Sequence, residues 1–167
     1  MASEQKVNRF CQRVSELRDS MFAVSMRILN NEADAEDAIQ TTLLNAYEHL
    51  EDWKIFERFK PWLFRILTNE CFKIAGSRKY HEDIAEAAEL IKQPEYDNIS
   101  SMALWECIMS MEESYRTVIV LFYYESMRIK EIAAVLQLSE ANVKKRLSRG
   151  RDKLKEILER EEFHEKV

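Results

Sequence analysis

Apolar residues recur at helical spacing along almost the whole chain, and the interruptions in that pattern mark its elements. Val7, Phe10, Val14, Leu17, Met21, Val24 and Ile28 alternate by three and four, which predicts one long amphipathic helix ended by Asn30 and Asn31. A second helix, from about Ala33 to Leu50, should bury Ala35, Ala38, Ile39, Thr42, Leu43, Ala46 and Tyr47. Glu36, Asp37, Gln40 and Asn45 lie near its polar edge. The aromatic piece WKIFERF then leads to Pro61, which suits the first turn of a third helix over Trp62 to about Arg78.

Between Lys79 and Ser101 the periodicity fades. Six acids stand there, and Pro94 within QPEYDNIS reads as a hinge, so this is an acidic linker with a short helix predicted over IAEAAELI. Helical spacing resumes at Ala103, Leu104, Cys107, Ile108 and Met111, and again at Tyr115, Val118, Ile119 and Phe122. The pattern over Ile129 to Leu154 is two short helices and a tight turn. Ile132, Ala133 and Leu136 form one inner stripe, and Val143, Leu147, Gly150 and Leu154 form the other. Ser139 is placed as N-cap, with Glu140 at the positive end of the helix dipole. Burying that second stripe turns Lys144, Lys145, Ser148 and Arg149 outward, with Arg146 and Arg151 on the flanks. This is the pattern of a helix-turn-helix, whose second helix enters the major groove of DNA. The expected architecture is therefore all-α: two small helical domains, 1–79 and 102–167, joined by a linker over 80–101.

Charge sharpens that reading. The net charge of -5 hides a segregation along the chain. Arg128 to Arg160 carries ten cations against five acids, so the last part can meet phosphate. Glu32 to Asp52 carries seven acids and no Lys or Arg, and should face a basic protein surface or water. Two Gly and two Pro in 167 residues favour helix throughout. Cys11, Cys71 and Cys107 are too few and too scattered for a disulfide framework or a CxxC metal site. They read as core thiols of a reducing compartment. MASEQKVNRF lacks an apolar signal region and no run approaches a membrane span, which predicts a cytoplasmic protein.

Two ordered motifs then point to a family. DAEDAIQTTLLNAY followed by FKPWLFRILTNECF resembles the promoter-melting domain of bacterial extracytoplasmic-function (ECF) sigma factors, in the sigma-70 family of RNA polymerase. SYRTVIVLFYYESMRIKEIAAVLQLSEANVKKRLSRGRDKL resembles that family's C-terminal promoter-binding domain. The resemblance covers nearly the whole chain in the right order. It implies a dissociable specificity subunit that binds core RNA polymerase, recognises the -35 and -10 promoter elements and promotes melting. An anti-sigma factor is implied as a further partner.

Residue by residue, the resemblance places Asp37 and Gln40, with Asn45 beside them, against the largest polymerase subunit. Thr41 stands where the family usually has Glu. Asn69 is placed at a pocket for an unpaired base, with the loop from Lys54 to Phe59 on its other side. Bases leaving the stack need apolar walls and hydrogen-bonding edges to offset lost stacking. Lys60, Arg65, Lys73, Arg78 and Lys79 are candidates to track phosphates there. Trp62, Leu63, Ile66 and Phe72 have the spacing of core residues, while Phe56 and Phe59 fit core or stacking equally.

In the C-terminal domain Lys144, Lys145 and Ser148 are expected at base edges. Arg146, Arg149 and Arg151 are expected at phosphates. Arg151 and Lys155 fit equally well as partners of Glu156 and Glu159 along the helix. Gln137, Asn142 and Gly150 stand where the family usually has Gly, Thr and Ala.

No catalytic constellation accompanies these motifs. His49, His81 and His164 are scattered and two glycines cannot form a phosphate loop, so neither an enzyme nor a cofactor or metal is expected. Two other readings share some of the features. A sigma-like mimic that sequesters an anti-sigma factor would not need the cations from Lys144 to Arg149. A two-domain helix-turn-helix regulator would not need Asp37, Gln40 or the motif from Trp62 to Asn69.

Overall fold

The computed structural model describes residues 4–50, 57–82 and 99–165. They form seven α-helices: α1 (Glu4–Leu29), α2 (Glu32–Glu48), α3 (Phe59–Glu82), α4 (Ile99–Ser110), α5 (Glu113–Ile119), α6 (Ile129–Leu136) and α7 (Glu140–Glu165). Helix α5 runs on into a π-helical turn, Val120–Tyr124. The expected all-α class holds. The helix predicted over IAEAAELI lies outside the described residues, whereas α3 and α4 each reach into the stretch read as linker, to Glu82 and from Ile99.

Local chemistry sets most boundaries. Asn30 adopts a left-handed φ of 49°, and the Asn31 side chain accepts from the Asp34 amide at 2.9 Å, so the asparagine pair ends α1 and caps α2. Pro61 sits in the first turn of α3, where no amide donor is needed. At the start of α6 the Glu131 carboxylate accepts from the Arg128 amide at 2.8 Å and pairs with its guanidinium at 3.2 Å. The side-chain bond from Arg128 holds that carboxyl below the usual range. Gln137 closes α6 in the left-handed conformation (φ 54°), and the Ser139 hydroxyl caps α7 by accepting from the Asn142 amide at 3.1 Å.

Packing follows the apolar stripes. In the first half, α1, α2 and α3 pack on one another around Met21, Val24, Ala38, Ala46, Leu63, Phe64, Leu67 and Cys71. Burial pushes the Cys71 thiol up to about 12, so it stays protonated and inert. In the second half, Val118, Ile119, Ile132, Val135, Val143 and Leu147 are buried between α5, α6 and α7. Each such side chain, fully buried, stabilises by roughly 1.5–3 kcal/mol. Two expected core residues lie outside. Cys11 is exposed because Phe10 and Val14 take the buried stripe of α1, and Tyr47 is 52% exposed because Ala46 and Leu50 take that of α2.

The two halves share one apolar cluster, with α3 against α6 and the end of α1 against α5 and the π turn. Among the described residues, Lys60, Arg27 and Arg116 cross between them. Lys60 Nζ on α3 meets the buried Glu125 twice, at 3.2 Å from the carboxylate and 3.1 Å from the backbone carbonyl. Arg27 on α1 lies 4.7 Å from the Trp105 ring centroid and 4.5 Å from that of Tyr124. Arg116 on α5 donates to the Ile28 carbonyl of α1 at 3.3 Å and to the Met109 carbonyl at 2.8 Å.

Candidate nucleic-acid interface

Helix α7 presents its cations because its other face is locked. Val143, Leu147 and Gly150 are buried, and a Cβ at Gly150 would stand 3.2 Å from Ile119 Cγ1, a tight contact that the Ile119 side chain would have to relieve by a few tenths of an ångström. Lys144, Lys145, Ser148 and Arg149 are consequently all exposed on one surface. The flanking arginines are tied: Arg146 Nε donates to Asn142 Oδ1 at 3.3 Å, and Arg151 donates to the Tyr123 hydroxyl at 3.4 Å. Lys155 pairs with Glu159 at 3.8 Å along the helix, whereas Arg151 takes the tyrosine rather than a carboxylate. The surface is an open cationic row whose central side chains make no hydrogen bond among the described residues. Such a row suits a groove of duplex DNA.

A second candidate surface lies between α2 and α3. Asn45, His49, Trp62, Ile66, Asn69, Glu70, Phe72 and Lys73 line a cleft of about 650 Å³. Its walls are aromatic or aliphatic, and Asn45, His49, Glu70 and Lys73 are tied to one another. Glu70 accepts from Lys73 Nζ at 2.7 Å and from Asn45 Nδ2 at 3.3 Å, and His49 Nδ1 donates to the Asn45 carbonyl at 2.8 Å. Trp62, Ile66 and Phe72, expected as core, are half-buried walls of this cleft, and only Leu63 is wholly core. Phe59 is core, edge-on to Phe10 at 5.9 Å. Loop residues 51–56 lie outside the described residues, as do the side chains of Arg78 and Lys79.

Two expected site residues face elsewhere. Asn45 leaves the exposed face of Asp37 and Gln40 and turns toward α3, where Glu70 holds it. Lys60, expected at phosphates, is committed to Glu125 across the two halves. Arg65 is exposed and Lys73 is exposed beside Glu70. The face of α2 that carries Asp37 and Gln40 also carries Leu44, 68% exposed. Leu44 is four residues after Gln40 and seven after Asp37, so helical spacing alone would have placed it there. A third feature had no sequence signal: an apolar groove of about 450 Å³ between α4, α5 and α7, lined by Leu104, Ile108, Tyr123, Tyr124, Leu154 and Leu158. The π turn opens the helix where the tyrosines emerge, 52% and 44% exposed. Among the described residues no group of three metal-ligating side chains converges, and no helix is long and apolar enough to cross a membrane.

Comparison with known proteins follows the same two-part division. A family model described as Sigma-70 region 2 matches residues 13–79, and one described as Sigma-70, region 4 matches residues 101–154. The ECF RNA polymerase sigma factor SigW of Bacillus subtilis (strain 168) is 30% identical over 165 residues, covering 89% of this chain and 88% of the relative. Among solved structures, the sigma factor RpoE in complex with the anti-sigma factor NepR from Bartonella quintana has a TM-score of 0.77 at 22% identity, over 90% of this chain and 97% of that one. CnrH in complex with the cytosolic domain of CnrY has a TM-score of 0.65 at 27% identity, over 90% and 87%. The paired region matches, in order, and the near full-length relative establish that this chain belongs to the ECF sigma factors of the sigma-70 family.

Proposed function

We propose that this chain directs core RNA polymerase to promoters through two separate grips on one DNA, in the cytoplasm and without a catalytic centre of its own. The exposed row on α7 carries this reading. Lys145 projects opposite the buried stripe of Val143 and Leu147, and with Lys144 and Ser148 it reads base edges of the -35 duplex. Arg149 contacts phosphate, and the tied Arg146 and Arg151 do so from the flanks. The cleft around Asn69 takes an unpaired base of the -10 element, with Trp62, Ile66 and Phe72 as apolar walls and Arg65 and Lys73 near the backbone.

Asp37, Gln40 and Leu44 form the docking face for polymerase, which supplies nucleotidyl transfer. Asn45 supports the cleft instead. The apolar groove between α4, α5 and α7 is the place for an anti-sigma factor, the class of partner with which NepR-bound RpoE was solved. Hydroxyl-radical footprinting of the reconstituted holoenzyme tests the two grips. We expect two protected stretches on one promoter, the upstream one lost with Lys144→Ala and Lys145→Ala together. A single continuous footprint unaffected by that pair would refute the reading.

A further inference from the structure

The row on α7 contains a lysine amine whose surroundings set it apart from the other lysines with described side chains. Most of those have a carboxylate or a ring against them. Lys60 meets Glu125, Lys73 meets Glu70 at 2.7 Å, Lys155 meets Glu159 at 3.8 Å, and Lys153 lies 5.3 Å from the Tyr115 ring centroid. Lys6 also has a partner, and Lys130 shares a cleft with Glu16, Glu57 and Glu131. Lys144 follows Glu140 by one helical turn. Lys145 differs from all of them: the residues that helical spacing places beside it are Ala141, Asn142, Ser148 and Arg149, and none is acidic.

Arg149, four residues on, adds a second cation to the same exposed face. Like charges at that spacing repel, and a small dianion between them relieves both. The arginine keeps its donors in a planar fork suited to two oxygens of one phosphate, and Ser148, three residues after Lys145, adds a hydroxyl donor. A phosphate held there and joined to an acyl group brings the acyl carbon within reach of the Lys145 side chain.

We infer that Lys145 is an acylation site for acyl phosphates, with Arg149 as the positioning residue that docks the donor's phosphate. In the step, Lys145 gives its ammonium proton to water and the nitrogen lone pair adds to the acyl carbon. The carbon–oxygen bond to phosphate breaks, and inorganic phosphate leaves with that bond's electrons and a second proton from nitrogen. The product is an uncharged amide. For its consequence the inference rests on the promoter reading above: acylated Lys145 no longer brings a cation to the base edges of the -35 duplex, so the upstream grip loosens while the α3 cleft and the α2 face keep theirs. DNA and the acyl donor compete for Arg149, so a chain engaged on its promoter is shielded.

At about 6 Å in water, one guanidinium enriches a phosphate dianion roughly tenfold without screening and about threefold at physiological ionic strength. A neighbouring carboxylate depletes the donor by a similar factor. The Lys73 and Lys155 side chains are 70% and 76% exposed and each has such a carboxylate, so they control for access. Incubation of the full chain with acetyl phosphate, followed by site-resolved mass spectrometry, is expected to acetylate Lys145 on the order of tenfold faster than either. Arg149→Gln should cut the Lys145 rate about threefold at physiological salt and about sevenfold at about 10 mM salt. With N-hydroxysuccinimide acetate, an uncharged donor, the dependence on Arg149 should vanish. A Lys145 rate no higher than those of Lys73 and Lys155, or an Arg149 dependence that is absent with acetyl phosphate or equal with the uncharged ester, would overturn the inference. In reconstituted holoenzyme, a cognate upstream duplex should shield Lys145. Undiminished acetylation there, after the free-chain rates come out as expected, would refute the promoter reading of α7 and leave the acylation site standing.

Discussion

Lys145 and Arg149 provide the sharpest division of labour on α7. At 3.6 residues per turn, Lys145 points about 190° from the axis of the buried stripe and Arg149 about 130° from it on one side, so in the proposed complex with the -35 duplex the lysine would reach deepest and the arginine would meet the groove wall. Removing Lys145 should then cost about 1–3 kcal/mol on the cognate -35 sequence, a loss of roughly 5- to 150-fold, and little on a scrambled duplex. Removing Arg149 should weaken both duplexes alike. It should also flatten the slope of log affinity against log salt by about 0.9, so that a fourfold rise in salt weakens the variant about 3.5-fold less than wild type. Fluorescence anisotropy of labelled upstream duplexes with reconstituted holoenzyme, at several salt concentrations, measures both quantities. Equal losses on cognate and scrambled DNA for Lys145→Ala, or an unchanged slope for Arg149→Ala, would refute this placement of the helix.

Further outcomes are expected elsewhere in the molecule. Asn69→Ala should impair strand opening more than duplex binding, read as lost permanganate reactivity of unpaired thymines on a promoter that still shifts in a gel. Asp37→Arg should abolish co-purification with core polymerase while leaving the thermal melting curve unchanged. Gly150→Val should destabilise by about 1–3 kcal/mol in urea unfolding, because its branches would be driven into Ile119, which is itself buried. At pH 8 a thiol reagent should label Cys11 and spare Cys71. Because the folded pKa of Cys71 is raised, its contribution to stability is full below the ordinary thiol value and should be lost as pH climbs from about 9 to about 12.

The helices and the cationic row were legible because each depends on spacing within one segment. The stripe from Val7 to Ile28, the asparagine break, the Ser139 cap and the outward row of α7 are all local facts of helical geometry. What stayed hidden depends on approach between distant segments. Lys60 and Glu125 are 65 residues apart, and nothing near either shows that the π turn will bring them together. Asn45 sits at the edge of its helix's polar face, and only the arrival of Glu70 from α3 decides which way it turns. Gly150 illustrates both levels. Helix propensity alone disfavours it by roughly 1 kcal/mol against Ala, whereas the close pass of the Ile119 side chain, 3.2 Å from a Cβ placed there, is visible only in the packed structure.

Thr41 and Gln137, two further departures from the family pattern, have different weights. Thr41 is exposed on α2 near Gln40, so the docking face proposed above has one carboxylate fewer there than the family usually carries. Gln137 takes a left-handed φ that glycine adopts freely, and its backbone amide still closes α6 on the Ala133 carbonyl.

Mapping of transcript starts by run-off synthesis from a promoter library, with core polymerase alone and with the purified chain added, bears most directly on whether this protein selects promoters. The account predicts new, discrete start sites that require the chain and share two sequence blocks at fixed separation. Initiation at the same places with and without it would contradict the account.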